Sequence, residues 1–269
     1  MNRLARNGLV VSNGQTQASD PFGKYKRETV HKVRTPGVTG QSLAERVKRA
    51  REMLRSMKPE VVSQIIEFHK DLNLFQALAL AKQEGKLIVP NFVHDGILTE
   101  TTDQRYLEQN YPVWTGTLII YEEPDVPFGK KVLFQGLTFT VPEQFQGKAN
   151  CALVIEYPYF ELILGNNRYE IRVPDEANIR LIEDFPKKDG WYMPDDETKI
   201  PHGKEVGASS DSRHLWRLDV SSHLGLLVRV VGVVYDGRRD VFLFGDPSVR
   251  FGMALVDVGS DRAKRGVNS

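Results

Sequence analysis

Tyr159-Phe160-Glu161-Leu162-Ile163-Leu164-Gly165-Asn166-Asn167-Arg168-Tyr169-Glu170-Ile171-Arg172-Val173 reads as two alternating arms about a turn. Phe160, Leu162 and Leu164 share one face of the first arm, and Tyr169, Ile171 and Val173 one face of the second, because strand side chains repeat every two residues. Gly165, Asn166 and Asn167 tolerate the positive φ that a tight hairpin needs. The same period governs most of the chain from 113 to 258. Alternating runs at 115–122, 132–141, 151–156, 226–235, 240–244 and 249–258 are separated by turn residues, among them Asp236-Gly237. With no helical pattern between these runs, the expectation is an antiparallel β-sandwich or barrel.

Upstream of this region the period is helical, so the fold class expected for the whole chain is α+β. Ser42-Leu43-Ala44-Glu45 is a capping box, and Leu43, Val47, Ala50, Leu54 and Met57 follow at 4-3-4-3 spacing. A helix over 42–57 results, with Arg46, Lys48, Arg49, Arg51 and Arg55 off the apolar stripe. Pro59 opens a second helix read through residue 72, and a third runs from Asn73 to Glu84 and closes at Gly85. Residues 42–85 are therefore a short helical segment and 86–112 a connecting segment. A helix-turn-helix reader would need its basic residues on the third helix, which carries only Lys82. Residues 1–41 lack sustained apolar periodicity and are punctuated by Gly and Pro, which predicts a flexible arm; 259–269 reads as a flexible tail.

The 269 residues hold 36 Lys+Arg and 35 Asp+Glu, a net charge of +1 that conceals a division. Residues 1–58 carry 13 basic and 4 acidic side chains, leaving 23 and 31 for the remainder. A basic arm ahead of an acidic body favours polyanions, since each Lys or Arg near a phosphate releases counterions. Lys24, Lys26, Arg27, Lys32 and Arg34 on the arm, with Arg46, Lys48, Arg49, Arg51 and Arg55 on the helix, are the candidate contacts for nucleic acid or an acidic protein surface. The same arm could instead fold back on the acidic body. The 43-47-50-54-57 stripe suits docking on the body or pairing with a second copy.

The single cysteine, Cys151, cannot form an internal disulfide, and the longest apolar stretch, 224–235, is too short to span a membrane. No export signal is read at the N-terminus, and the expected location is cytoplasmic. Phosphate-loop, dinucleotide-binding and Gly-x-Ser-x-Gly patterns are absent, and the six histidines show no paired metal spacing, so neither cofactor nor metal is expected. A site assembled by folding would draw on His94-Asp95, His202 and His214. Cys151, His223 and Asp246 follow the chain order of papain-like peptidases. Cys151-Ala152-Leu153-Val154-Ile155, however, reads as a buried strand, a setting that raises a thiol pKa. Between 185 and 212 the strand signal vanishes, leaving a polar loop with Trp191 as a contact residue. Asp184, Asp189, Asp195, Asp196 and Glu197 there could supply paired carboxylates. The expected function is non-enzymatic binding or assembly through the basic arm and helix. A hydrolase with a site in 184–214 and a coat-like structural role are the alternatives.

Overall fold

The computed structural model describes residues 43–100, 113–134, 137–157, 159–165, 168–217, 227–233, 240–244 and 250–257. The expectations for the 1–41 arm and the 259–269 tail lie outside them. The helices are α1 (Leu43–Ser56), α2 (Pro59–Ile65), α3 (Leu74–Glu84) and α4 (Asn91–Glu100). The first five strands are β1 (Ile66–Leu72), β2 (Leu87–Ile88), β3 (Val113–Tyr121), β4 (Lys131–Phe134) and β5 (Leu137–Thr140). They continue as β6 (Ala152–Glu156), β7 (Glu161–Leu164), β8 (Tyr169–Arg172), β9 (Arg180–Ile182) and β10 (Gly190–Pro194). The last are β11 (Pro201–Val206), β12 (Arg213–Trp216), β13 (Leu227–Val233), β14 (Asp240–Phe244) and β15 (Phe251–Val256). The fold is α+β.

All nine residues of β3 are buried. Its Thr117–Tyr121 half pairs antiparallel with β6, its first two residues pair parallel with β15, and its other edge is taken by β13. From this strand the large sheet extends in the order β1-β15-β3-β13-β14-β12-β10-β11. The order does not return on itself, so the barrel expectation is corrected: the sheet is open. It is also mixed rather than antiparallel, with parallel pairs at β3–β15 and β12–β14, and a third at β5–β8 in the small sheet β4-β5-β8-β7.

Alternation along the strands divides the interior. Leu118 and Ile120 of β3, with Leu153 and Ile155 of β6, meet Val132, Phe139 and Ile171 of the small sheet and Leu74, Ala77 and Ala81 of α3. Ile119, Tyr121, Ala152 and Val154 face the opposite way, toward Tyr192, Ile200 and Leu215. On β15, Met253 and Leu255 join the first cluster, whereas Ala254 and Val256 meet Ala50, Leu54, Met57, Val62, Val93 and Ile97 of the helices. The expected 159–173 hairpin forms, with Leu162 opposite Ile171. Ile171 is buried and Leu162 half-buried, but Leu164 is 54% exposed because β7 is the outer strand of its sheet.

Four elements depart from the sequence reading. The second helix ends at Ile65, where Ile66 turns to extended backbone, and 66–72 becomes β1, paired along β15. A seven-residue helix is marginal alone, and the edge of β15 offers a ladder of hydrogen bonds that helix continuation would forgo. The 132–141 run is a hairpin, with Phe134 of β4 opposite Leu137 of β5. The 86–112 connection holds β2 and α4. The expected 185–212 loop contains the β10–β11 hairpin, whose turn is built by Asp195: its Oδ2 accepts from the Thr198 amide at 2.6 Å and the Thr198 hydroxyl at 2.6 Å. By contrast α3 follows its signals. Asn73 and Gln76 exchange side chain-to-backbone hydrogen bonds of 2.9 and 3.0 Å, and Gly85 at φ 64° ends the helix.

β2 runs so close over β3 that a Cβ on Gly116 would collide with the Ile88 carbonyl oxygen, and the Gly116 amide donates to the Val89 carbonyl at 2.8 Å. Gly116→Ala is expected to destabilise the protein by about 2–3 kcal/mol, whereas Gly129→Ala, in open space, should be near neutral. Urea unfolding of both variants checks this. Complete burial of His94 on α4 pulls its pKa from an ordinary 6.5 down to about 3. Between those values the unfolded chain binds the proton and the folded one does not, so stability falls as pH drops through that window. The slope contributed is up to roughly 1.4 kcal/mol per pH unit. Unfolding of His94→Gln across pH 4–7 should show a flatter dependence than the parent.

Candidate functional site

The apolar stripe sets the rotation of α1. Ala50, Leu54 and Met57 are buried against Val62, Ile66, Val93 and Ala254, so the body of the protein covers this part of the stripe. That rotation divides the basic residues proposed as contacts. Lys48 and Arg49 are exposed, while Arg51 and Arg55 turn onto the body. The Arg46 side chain and Lys24, Lys26, Arg27, Lys32 and Arg34 lie outside the described residues.

Arg51 Nε stands 3.1 Å from Glu156 Oε2, at the end of β6. Arg55 Nη2 is 3.6 Å from Glu197 Oε2 and donates to the Glu197 carbonyl at 3.1 Å, with its guanidinium 5.0 Å over the Phe92 ring. Arg180 on β9 also pairs with Glu197 through Nη2. Three guanidinium groups and two carboxylates from α1, β6, β9 and the β10–β11 turn therefore converge. Beside them lies a cleft of about 80 Å³ lined by Arg51, Glu156, Tyr159, Asn178 and Arg180. Glu156 is only 7% exposed. Burial pushes its carboxyl above the usual range, against the pull of Arg51, Arg55 and Arg180. Burial likewise raises the Tyr159 hydroxyl.

Trp191, expected in a loop, lies half-buried on β10, its ring 5.0 Å from His214, which in turn is 4.5 Å from Trp216. The carboxylates of 184–214 do not share one location. Asp195 builds its turn, Asp189 accepts from the Arg217 amide, Asp184 and Asp196 are exposed, and Glu197 meets the arginines. Asp95 is paired with Arg213, Nη2 to Oδ2 at 2.8 Å, which ties α4 to β12. Cys151 is buried and its thiol is pushed up to about 11 by desolvation, the setting expected for a packing residue; His223 and Asp246 lie outside the described residues. Glu67, His69 and Glu84 bring ligand atoms within 4.8 Å of one another. Lys86 Nζ already occupies the carboxylate side, at 2.6 Å from Glu67 and 2.8 Å from Glu84.

Glu156 and Arg180 were not among the residues singled out from sequence. The available signal was a carboxylate ending the apolar run 151–155, since a charge at the end of a buried strand must find a partner. Compared with known proteins, the chain matches no family model, no curated protein and no solved structure.

Removing one partner of a buried pair strands the other. Because Arg51 keeps partial solvent contact, Arg51→Ala is expected to destabilise by about 1–3 kcal/mol. Adding Glu156→Gln should recover more than half of the loss, as thermal melts of the two single variants and the double variant will show.

Proposed function

We propose that the protein is a non-enzymatic binding or assembly protein whose basic N-terminal segment and the outward side of α1 engage a polyanion, with nucleic acid the preferred partner. The observation that supports this is the exposure of Lys48 and Arg49 on a helix whose opposite side is anchored. A rigid helix holding two unburied cations is suited to contact phosphates, which fix position without reading sequence. In this reading Arg51 and Arg55 leave the contact set, being engaged with Glu156 and Glu197. Lys24, Lys26, Arg27, Lys32, Arg34 and Arg46 stay in it. The reading also takes 1–41 as flexible, the two sheets as a sandwich-like body, pairing of two copies as a use of the 43-47 end of the stripe, and the cytoplasm as the setting. No helix among the described residues is long and apolar enough to cross a membrane. A coat-like role would use the same layout. A hydrolase in 184–214 is the lesser reading, because Glu197, the carboxylate of that stretch beside the cleft, is held by guanidinium groups.

Retention of the 269-residue chain on single- and double-stranded nucleic acid, measured across salt concentrations, tests the proposal. Lys48→Glu with Arg49→Glu should weaken binding by a similar factor for every sequence and flatten the log-log salt slope by about 2, one per lost phosphate contact. Absence of salt-sensitive retention by the parent protein removes the nucleic-acid reading and leaves an acidic protein surface as the partner.

A further inference from the structure

Three guanidinium groups meet a single carboxylate oxygen where α1, β9 and the β10–β11 turn come together. Arg51 Nη2 is 3.9 Å from Glu197 Oε2, Arg55 Nη2 is 3.6 Å from the same atom, and Arg180 Nη2 contacts it directly. Of the three, only Arg180 is within hydrogen-bond reach of that oxygen. Arg51 also meets Glu156, and Arg55 the Glu197 carbonyl, but a guanidinium carries five N–H donors. The cluster therefore offers more donors than the two oxygens of the Glu197 carboxylate can use.

That carboxylate can leave without disturbing its surroundings. The Glu197 amide donates to Asp195 Oδ2 at 3.1 Å and its carbonyl accepts from Arg55 at 3.1 Å, so the backbone is pinned independently of the side chain. Arg55 is seated over the Phe92 ring, and Arg51 is drawn to Glu156. Solvent reaches all four side chains: Arg51, Arg55 and Arg180 are 30, 37 and 34% exposed, and Glu197 45%. We propose that Arg51, Arg55 and Arg180 form a binding site for a terminal phosphate group, and that the Glu197 carboxylate occupies it when no ligand is bound. A phosphomonoester presents three unesterified oxygens, one for each guanidinium, and carries about −1.5 to −2 charges at neutral pH where a carboxylate carries one. Glu156 beside Arg51, and Asp195 within the field of Arg180, are the same background for either occupant. Exchange thus places more negative charge among the same three cations. Arg51 and Arg180 also line the cleft of about 80 Å³, which gives the larger group room. Being tethered, Glu197 competes at a high effective concentration, so binding by the parent protein is weak. Lys48 and Arg49 stand outside the cluster, and the site does not rest on the polyanion reading.

Titration calorimetry of the 269-residue chain with inorganic phosphate, acetate and dimethyl phosphate at fixed ionic strength tests this. Inorganic phosphate should bind on the order of tenfold more tightly than the other two, which carry one charge and two free oxygens. Glu197→Gln removes the competing charge and should tighten phosphate on the order of tenfold. Arg180→Gln should abolish binding, whereas Lys48→Glu with Arg49→Glu should leave it unchanged, which separates this site from the nucleic-acid contacts. Equal binding of all three anions, no gain in Glu197→Gln, or indifference to Arg180→Gln would overturn the proposal. Should Glu197→Gln fold poorly, the melting temperature of the parent carries the test: phosphate should raise it above its value in chloride, and Arg180→Gln should lose that rise. An equal response in both proteins again overturns the site. A 5′-phosphorylated oligonucleotide set against its 5′-hydroxyl counterpart then distinguishes a nucleic-acid end, which only the phosphorylated form supplies, from a small phosphorylated molecule, for which the two bind alike.

Discussion

The structure depends on β3 being buried on both faces. A strand with no solvent contact must place every backbone N–H and C=O in a ladder, since an unpaired buried group costs as much as a lost hydrogen bond. β3 meets this by dividing one edge between β15 and β6 and giving the other to β13. The division requires chain from both ends of the domain to return to the same place. Gly116 sits where it does because β2 crosses there, with room for a backbone and none for a side chain.

The helices follow from that frame. β15 carries Ala254 and Val256 on the face opposite Met253 and Leu255, leaving an apolar surface that only helices arrive to cover. Once Ala50, Leu54 and Met57 settle on it, the direction of every other α1 side chain is fixed by the 100° step per residue. Arg51 and Arg55, one turn apart, must then meet the end of β6 and the β10–β11 turn, whereas Lys48 and Arg49 must face water. The cleft is thus a by-product of packing.

Much of this order was legible from sequence where the signal was local. The 159–173 hairpin, the capped α3 and the α1 stripe all rest on residues within a few positions of one another. The misread elements are those decided at long range. Nothing within 59–72 distinguishes continued helix from a strand waiting for Phe251–Val256, nearly two hundred residues away. The 132–141 run has a strand's composition throughout, and its reversal depends on pairing with β8. In 185–212, Asp195 and Thr198 carried a turn signal, but the short strands on either side are too polar to show alternation. For the site the same rule holds. Arg51 and Arg55 were visible as basic residues on a helix, but their partners Glu156, Arg180 and Glu197 come from three other elements that no spacing relates.

The fate of those two arginines changes how the charge division of the chain should be understood. A basic first fifth and an acidic remainder suggest two surfaces of opposite sign, yet the boundary between them is stitched by Arg51, Arg55, Glu156 and Glu197. Part of the asymmetry is therefore internal: cations of α1 match carboxylates of the body and add nothing to an outside field. Exposed pairs of this kind contribute about 0–1 kcal/mol, but a pair with its carboxylate buried, such as Arg51–Glu156, is costlier to form and to break. It is thus poorly explained as a device for stability. The same arrangement keeps α1 aligned, so that the cations remaining on its far side stand at a fixed height above the body rather than on a loose chain.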